Sequence, residues 1–167
     1  MGNIIYTLKE GKGLIKEYND FDKLIFEGEY LNGKRNGKGK EYYCGNKLRF
    51  KGEYLNGKRN AKGKEYYENG KLKFEGEYLY GYKLKGKLYM KEKLEYEGEF
   101  LYYKKYNGKG YDENGNIIYE LINGNGKVKE YDYKDILEFE GEYLNGKRKE
   151  KQEKYEHEEN KYLKMNI

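Results

Sequence analysis

The 167-residue sequence contains no proline, no tryptophan and no serine, and it has one cysteine, Cys44, and one histidine, His157. The absence of serine excludes a serine nucleophile. One cysteine cannot form a disulfide within the chain, and one cysteine with one histidine cannot supply the ligands of a structural zinc site. These absences exclude the disulfide-rich and zinc-stabilised classes of small protein.

Long hydrophobic runs are also missing. No apolar segment approaches the roughly 20 residues that a membrane-spanning helix needs. The segment from Met1 to Ile5 lacks the charged leader and the apolar stretch of a secretory signal. We therefore expect a soluble, cytoplasmic protein, with peripheral association with a membrane as an alternative.

Aromatic residues supply much of the apolar surface. The chain has 23 tyrosines and 6 phenylalanines, and its 35 basic and 30 acidic residues leave a net charge of only +5. Tyrosine combines a large apolar ring with a polar hydroxyl, so it suits half-exposed surfaces. Disordered chains are poor in aromatic residues, so the composition predicts a thin folded structure rather than a thick globule.

One pattern recurs through the chain. An aromatic residue is followed by any residue, glycine, glutamate, a second aromatic and leucine, at residues 26–31, 50–55, 74–79, 96–101 and 139–144. Shorter related copies begin near Tyr6 and Tyr119, which brings the count to seven units. Repetition at a spacing near 24 residues is typical of arrays in which each unit stacks on its neighbours.

Within a unit, apolar and polar residues alternate with a period of two, as in residues 72–79, which indicates a half-buried strand. Asn-Gly pairs such as Asn56-Gly57 favour tight hairpin turns. The sequence therefore predicts an all-β fold, a single antiparallel sheet of hairpins over residues 1–148. Glycines recur at one strand position from Gly28 to Gly141, and we expect them to leave room for neighbouring rings or to bend the sheet.

The repeated unit resembles the MORN repeat. The match rests on Phe-Glu-Gly-Glu-Tyr at residues 26–30, the turn Asn32-Gly33 and Gly-Lys-Gly at residues 37–39, with a spacing similar to the bacterial variant of the repeat. The resemblance implies an elongated, twisted β-hairpin solenoid over residues 4–148. It also implies a scaffold or a binder of peptides and helices, and the family has been proposed to bind acidic phospholipids.

Three Lys-Arg pairs occupy equivalent turns and form a candidate anion-binding site. The pairs are Lys34-Arg35, Lys58-Arg59 and Lys147-Arg148. They predict contacts to anionic phospholipid or another polyanion, nucleic acid being the less favoured case. The alternative is a set of solvated turns, which we favour because the strands carry abundant glutamate.

We expect Glu53 to oppose Lys40 on a neighbouring strand. Glu77 is expected to oppose Lys64 in the same way.

Two aromatic columns run along one face of the predicted sheet. The first aromatic of each unit is expected to pack between units: Phe26, Phe50, Phe74, Tyr96 and Phe139. The second is expected to be partly exposed and is the candidate partner-binding column: Tyr30, Tyr54, Tyr78, Phe100 and Tyr143. Rigid rings on a concave sheet face fit a peptide or a helix. The sequence leaves open which face is concave.

Residues 149–167 lack the repeat. Opposite charges three or four positions apart, such as Glu150 and Lys154, predict a helix. We expect this helix to cap the last strand, with homo-oligomerisation or partner binding as the alternative. Cys44 is expected to be an incidental exposed thiol, and His157 to be solvated.

No motif predicts catalysis, a cofactor or a metal. Acidic residues recur at repeated positions, whereas catalytic pairs are singular, and no phosphate-binding loop is present. We therefore predict a non-catalytic binding or scaffold module that presents a curved, tyrosine-lined surface to a protein partner. Two alternatives stay open: peripheral binding to anionic phospholipid or another polyanion, and neutralisation of another protein by an inhibitor or antitoxin.

Overall fold

The computed structural model describes residues 5–131 and 136–149. These residues form fourteen strands, and no helix occurs among them. The strands are β1 (Ile5–Lys9), β2 (Lys12–Tyr18), β3 (Leu24–Leu31), β4 (Lys34–Tyr42), β5 (Leu48–Leu55), β6 (Lys58–Tyr66), β7 (Leu72–Leu79), β8 (Tyr82–Met90), β9 (Lys93–Leu101), β10 (Lys104–Tyr111), β11 (Ile117–Leu121), β12 (Gly126–Tyr131), β13 (Leu137–Leu144) and β14 (Lys147–Arg148).

Within each sheet, every strand pairs antiparallel with its neighbours in the chain. Strands β1 to β11 form one eleven-stranded sheet in chain order, and β12 to β14 form a three-stranded sheet. A single bridge between Ile122 and Asn125 lies between the two sheets. The predicted all-β sheet of consecutive hairpins is confirmed. The predicted helix at residues 149–167 falls outside the described residues, apart from Lys149.

One edge of the array is formed by two-residue turns with positive φ at both positions. Between β5 and β6, Asn56 has a φ of 50° and Gly57 a φ of 85°. Asparagine and glycine tolerate this left-handed region best, which is why Asn-Gly pairs mark the hairpin turns of this chain. Adjacent turns are also linked, since the Gly57 N–H donates to the Arg35 carbonyl at 2.8 Å.

A row of glycines crosses the sheet from β3 to β10, one on each strand, and we call it the glycine ladder. Its members, each paired with the next, are Gly28, Gly39, Gly52, Gly63, Gly76, Gly86, Gly98 and Gly108. A Cβ on Gly63 would lie only 2.5 Å from Cζ of Phe50, and one on Gly28 only 2.8 Å from Cζ of Phe26. The prediction that these glycines leave room for rings is confirmed.

The core lies on the face of the sheet that carries the aromatic columns. Four rings of the first column are completely enclosed: Phe26, Phe50, Phe74 and Tyr96. Neighbouring rings meet edge to face, with the Phe50 centroid 5.6 Å from that of Tyr54 and 5.3 Å from that of Tyr78. Such pairs contribute about 0.5–1.5 kcal/mol each beyond burial. The predicted packing of the first aromatics between units is confirmed at these four positions.

The predicted charge pairs on the opposite face are displaced by two residues. Glu53 opposes Lys38 and not Lys40. Glu77 likewise opposes a lysine two positions before Lys64. The reason is that the register pairs glycine with glycine on neighbouring strands. Residues at equal distances from two facing glycines therefore oppose each other.

Candidate functional site

The second aromatic column is less exposed than predicted. Its three central members expose only 4%, 2% and 8% of their surface: Tyr54, Tyr78 and Phe100. The prediction of partial exposure is wrong for these three, because each ring is enclosed between first aromatics, as Tyr54 is between Phe26 and Phe50. The outer members Tyr30 and Tyr143 are half-buried. A partner could reach the central rings only if the core opened.

Charged residues cover the same face beyond the rings. The guanidinium of Arg59 pairs with the carboxylates of Glu41 and Glu65. The Tyr54 hydroxyl donates to Glu41 at 2.8 Å. Similar pairs continue across β2 to β8, and we call the row the charge ladder: Glu17, Arg35, Glu41, Arg59, Glu65 and Lys83.

Two arginines of the basic turns belong to the charge ladder. The Cζ atom of Arg35 lies 4.0 Å from the ring centroid of Phe26. That of Arg59 lies 4.1 Å from the ring centroid of Phe50. Both guanidinium groups therefore lie over core rings and neutralise half-buried glutamates instead of pointing away from the turn.

The third basic turn repeats this arrangement. Arg148 donates to Glu130 at 2.9 Å and lies 4.7 Å from the centroid of Phe139. The lysines of the three pairs are exposed: Lys34, Lys58 and Lys147. Anion binding by the basic turns stays a prediction, and these three lysines are the side chains that remain available for it.

Contacts within and around the charge ladder change the pKa values of the side chains that take part. Burial acts to raise the pKa of Glu41, but Arg59 and the Tyr54 hydroxyl outweigh burial and lower that pKa below its usual value. Burial, together with the hydrogen bond to Glu17, raises the pKa of Tyr30 to about 12. The glutamate stays ionised and the tyrosine stays neutral near pH 7, so both act as structural groups rather than proton carriers.

One unit carries a matched pair of changes that the sequence analysis missed. Leu88 of β8 stands where β4 has Glu41, since it opposes the first aromatics of two units. On the next strand, Phe100 stands where β5 has Tyr54. Tyrosine occurs where a carboxylate can accept its hydroxyl, and phenylalanine occurs where leucine replaces that carboxylate. Once the register is known, this pairing shows that the second column belongs to the core.

The opposite face of the sheet carries a groove of about 1760 Å³ that runs along the glycine ladder from β2 to β9. Its floor is glycine backbone, and its walls are lysine and glutamate side chains, with only Tyr18 and Tyr66 as aromatic lining residues. The walls of this groove are therefore charged rather than tyrosine-lined. The aromatic columns lie on the other face because they fill the space above the glycines.

Several wall charges of this groove form ion pairs between neighbouring strands. Glu27 accepts hydrogen bonds from Lys40 at 2.9 Å and from the Tyr42 hydroxyl at 2.6 Å. Lys64 pairs with Glu75 at 2.8 Å. The hydrogen bonds to Tyr42 and Lys40 lower the pKa of Glu27, so this carboxylate stays charged.

Four tyrosines gather on the turn edge of strands β7 to β10, and we call them the tyrosine cluster: Tyr80, Tyr82, Tyr102 and Tyr103. The ring centroid of Tyr82 lies 4.8 Å from that of Tyr103 and 5.9 Å from that of Tyr102. Tyr102 and Tyr103 expose 70% and 73% of their surface. The adjoining Leu79 and Leu101 are exposed as well.

The tyrosine cluster is built on a strained turn. Tyr102 has a φ of 47° and Tyr103 a φ of 71°. The six other described turns on this edge have glycine at the second position: Gly11, Gly33, Gly57, Gly81, Gly124 and Gly146. A residue with a side chain in this region costs roughly 1–2 kcal/mol. The sequence analysis missed this cluster, although the replacement of Asn-Gly by Tyr-Tyr was its signal.

Other kinds of site find no support in the described part of the chain. No group of three or more histidine, cysteine or acidic residues in residues 5–131 and 136–149 is placed to hold a metal ion. Cys44 is free and exposed, as predicted. No helix long and apolar enough to cross a membrane occurs among the residues that the structure describes.

No protein-family model matches the sequence. A search of curated proteins also gives no match.

Proposed function

We propose that this chain is a non-catalytic protein-binding module and that its partner contacts the tyrosine cluster. The observation that supports this proposal is the Tyr102-Tyr103 turn, which holds two exposed aromatic side chains in a conformation that glycine or asparagine would adopt at lower cost. Backbone strain of this kind concentrates at functional sites. Tyrosine is enriched at the centres of protein interfaces because its ring buries a large area and its hydroxyl still forms hydrogen bonds.

The surroundings of the cluster favour a protein over a polyanion. Leu79 and Leu101 extend the exposed apolar surface beside the rings. The nearby Lys83 is held by Glu65 at 3.0 Å on the core face. An exposed apolar patch with its neighbouring cation engaged elsewhere suits a protein surface better than phosphate groups.

The resemblance of the repeat to MORN units supports the same class of function. Scaffolding and neutralisation of another protein both require a stable binding surface without catalysis. An inhibitor or antitoxin would use this same cluster, so the identity of the captured protein distinguishes the two roles.

A capture experiment tests the proposal. The purified chain serves as bait in a lysate of its source organism, at about 150 mM and about 500 mM salt, with nuclease and detergent controls. We expect one protein to be retained at both salt concentrations by the native chain. The variant Tyr102→Asn/Tyr103→Gly should lose that protein, because it carries the turn that the other units use.

The matched control is Phe21→Asn, which removes an exposed aromatic side chain outside the cluster. Capture should survive this change. Retention that is equal for the native chain and the turn variant would contradict the proposal. Retention only at low salt, lost with nuclease or detergent, would favour the exposed lysines of the basic turns as the site.

A further inference from the structure

We propose that the groove binds an acidic side chain of a protein segment at Lys51, with the Tyr66 hydroxyl as a second donor. This site is separate from the tyrosine cluster, and it rests on the proposed function only in that its occupant is a protein. The charge pattern of the groove wall is interrupted at Lys51.

Lysine and glutamate alternate along most of one wall. Moving from strand to strand, Lys16 opposes Glu27, and further along the row Glu75 opposes Lys87. The alternation fails in the middle of the groove, where three lysines stand side by side on β4, β5 and β6: Lys40, Lys51 and Lys64. Like charges directly opposite each other on a sheet are destabilising.

The break comes from one residue. Lys51 occupies the position between first aromatic and glycine where other full units carry glutamate: Glu27, Glu75, Glu97 and Glu140. Lys40 already pairs with Glu27 and Lys64 with Glu75, and both residues that face Lys51 on the neighbouring strands are lysines. No hydrogen bond or ion pair of Lys51 is formed within residues 5–131 and 136–149.

At the same place, a tyrosine hydroxyl has no carboxylate to accept its hydrogen bond. Tyr42 donates to Glu27 at 2.6 Å, and Tyr89 donates to Glu75 at 2.7 Å. The equivalent tyrosine of the middle unit is Tyr66, which lines the groove. Its hydroxyl has no partner in the part of the chain that the structure describes, because Lys51 replaces the carboxylate that would accept from it.

The middle unit therefore presents two donors around the space that a carboxylate fills in the neighbouring units. An acidic side chain supplied from outside would complete the pattern, accepting from Lys51 and Tyr66 as Glu27 accepts from Lys40 and Tyr42. Ion-assisted hydrogen bonds of this kind are shorter and stronger than neutral ones.

Charge complementarity selects a protein segment with isolated acidic residues over a uniform polyanion. The groove is lined by eight lysines and six glutamates. Glu53 lies across the floor from Lys51, with only Gly52 between them in β5. A chain of phosphates along the groove would meet these glutamates, whereas one carboxylate at Lys51 avoids them.

The test is selection from a phage library of short random peptides on the full native chain. We expect enrichment of aspartate or glutamate at one fixed position among the binders. A selected peptide should lose about tenfold or more in affinity when that residue becomes glutamine or asparagine, the size expected for a hydrogen bond to a charged group. Selection that gives no binders, or binders without a fixed acidic position, would overturn the proposal.

The matched variant is Lys51→Glu, which restores the charge alternation and supplies Tyr66 with an acceptor. It should fold and melt about 2 °C or more above the native chain, and it should lose the selected peptides. Unchanged peptide binding by Lys51→Glu would contradict the inference. The turn variant Tyr102→Asn/Tyr103→Gly should bind the peptides normally, so a failure at the groove is distinguished from a failure at the tyrosine cluster.

Discussion

At two positions, a single residue differs from the one that the other units of the repeat carry. The chain uses glycine at the second position of every described turn on one edge except at Tyr103. It uses glutamate immediately before the first glycine of every full unit except at Lys51. Both exceptions cost stability by ordinary rules of turns and strands. A residue that breaks a local rule without a compensating contact marks a candidate functional position.

Relief of turn strain should be measurable. The variant Tyr102→Asn/Tyr103→Gly removes roughly 1–2 kcal/mol of strain per residue, offset in part by the greater freedom of glycine in the unfolded chain. We expect the melting temperature to rise by about 2–4 °C in thermal unfolding followed by circular dichroism.

The reverse change is the control. Asn56→Tyr/Gly57→Tyr places the same dipeptide in an unstrained turn between β5 and β6, and it should lower the melting temperature by a similar amount. A lower melting temperature for Tyr102→Asn/Tyr103→Gly would show that the tyrosines stabilise their turn, and the strain argument would be wrong.

At the scale of strands, the glycine ladder and the first aromatic column depend on each other. Each ring occupies the space that the missing side chains of two paired glycines leave open, as Phe50 does above Gly52 and Gly63. The ring therefore reaches full burial on a single sheet, without a second layer. The charge ladder then covers the rings, as Arg59 covers Phe50.

This dependence predicts a non-additive pair of mutations. Gly63→Ala should lower stability by about 1–3 kcal/mol in urea unfolding, because its Cβ would overlap the Phe50 ring. Phe50→Leu should also destabilise, through lost burial. In the double variant the smaller side chain removes the overlap, so the combined loss should be smaller than the sum of the two. Strict additivity would show that the ring does not require the glycine.

The strands and their order could be predicted from the sequence, whereas the exposure of the second aromatics could not. Alternation with period two and the Asn-Gly turns are local signals, and both are strong here. The burial of Tyr54 depends on Phe26 and Glu41 of the preceding hairpin, and thus on the register. The register follows from the pairing of glycines, which an alternation pattern alone does not reveal.

The exposed aromatic surface does not coincide with the column that the sequence analysis proposed for partner binding. The sequence indicated an exposed tyrosine surface, and the structure has one at Tyr102 and Tyr103 instead of Tyr54 and Tyr78. The replacement of Asn-Gly by Tyr-Tyr at residues 102–103 is a signal that the sequence analysis missed, and the proximity of these residues to Tyr82 follows from the pairing of β8 with β9. Arg35 and Arg59 of the basic turns lie over core rings for a related reason, since a long side chain can fold back from its turn.

At the scale of the whole molecule, the surface that stabilises the fold differs from the surfaces that we propose for binding. The aromatic face is sealed by the charge ladder, whose members satisfy one another, as Arg59 does with Glu41 and Glu65. The turn edge carries exposed tyrosines, and the opposite face carries a groove whose unmatched donors lie at Lys51. Changes on the turn edge or in the groove can therefore alter binding without opening the core.

The most direct test of the protein-binding account is amide hydrogen exchange of the chain with and without the captured partner. We predict slower exchange in the complex at residues 79–84 and 101–105, which contain the tyrosine cluster and the strand ends beside it. Turns without exposed tyrosines, such as Asn56-Gly57, serve as internal controls and should be unchanged. Protection confined to the basic turns, or unchanged exchange at both tyrosine segments, would contradict the account.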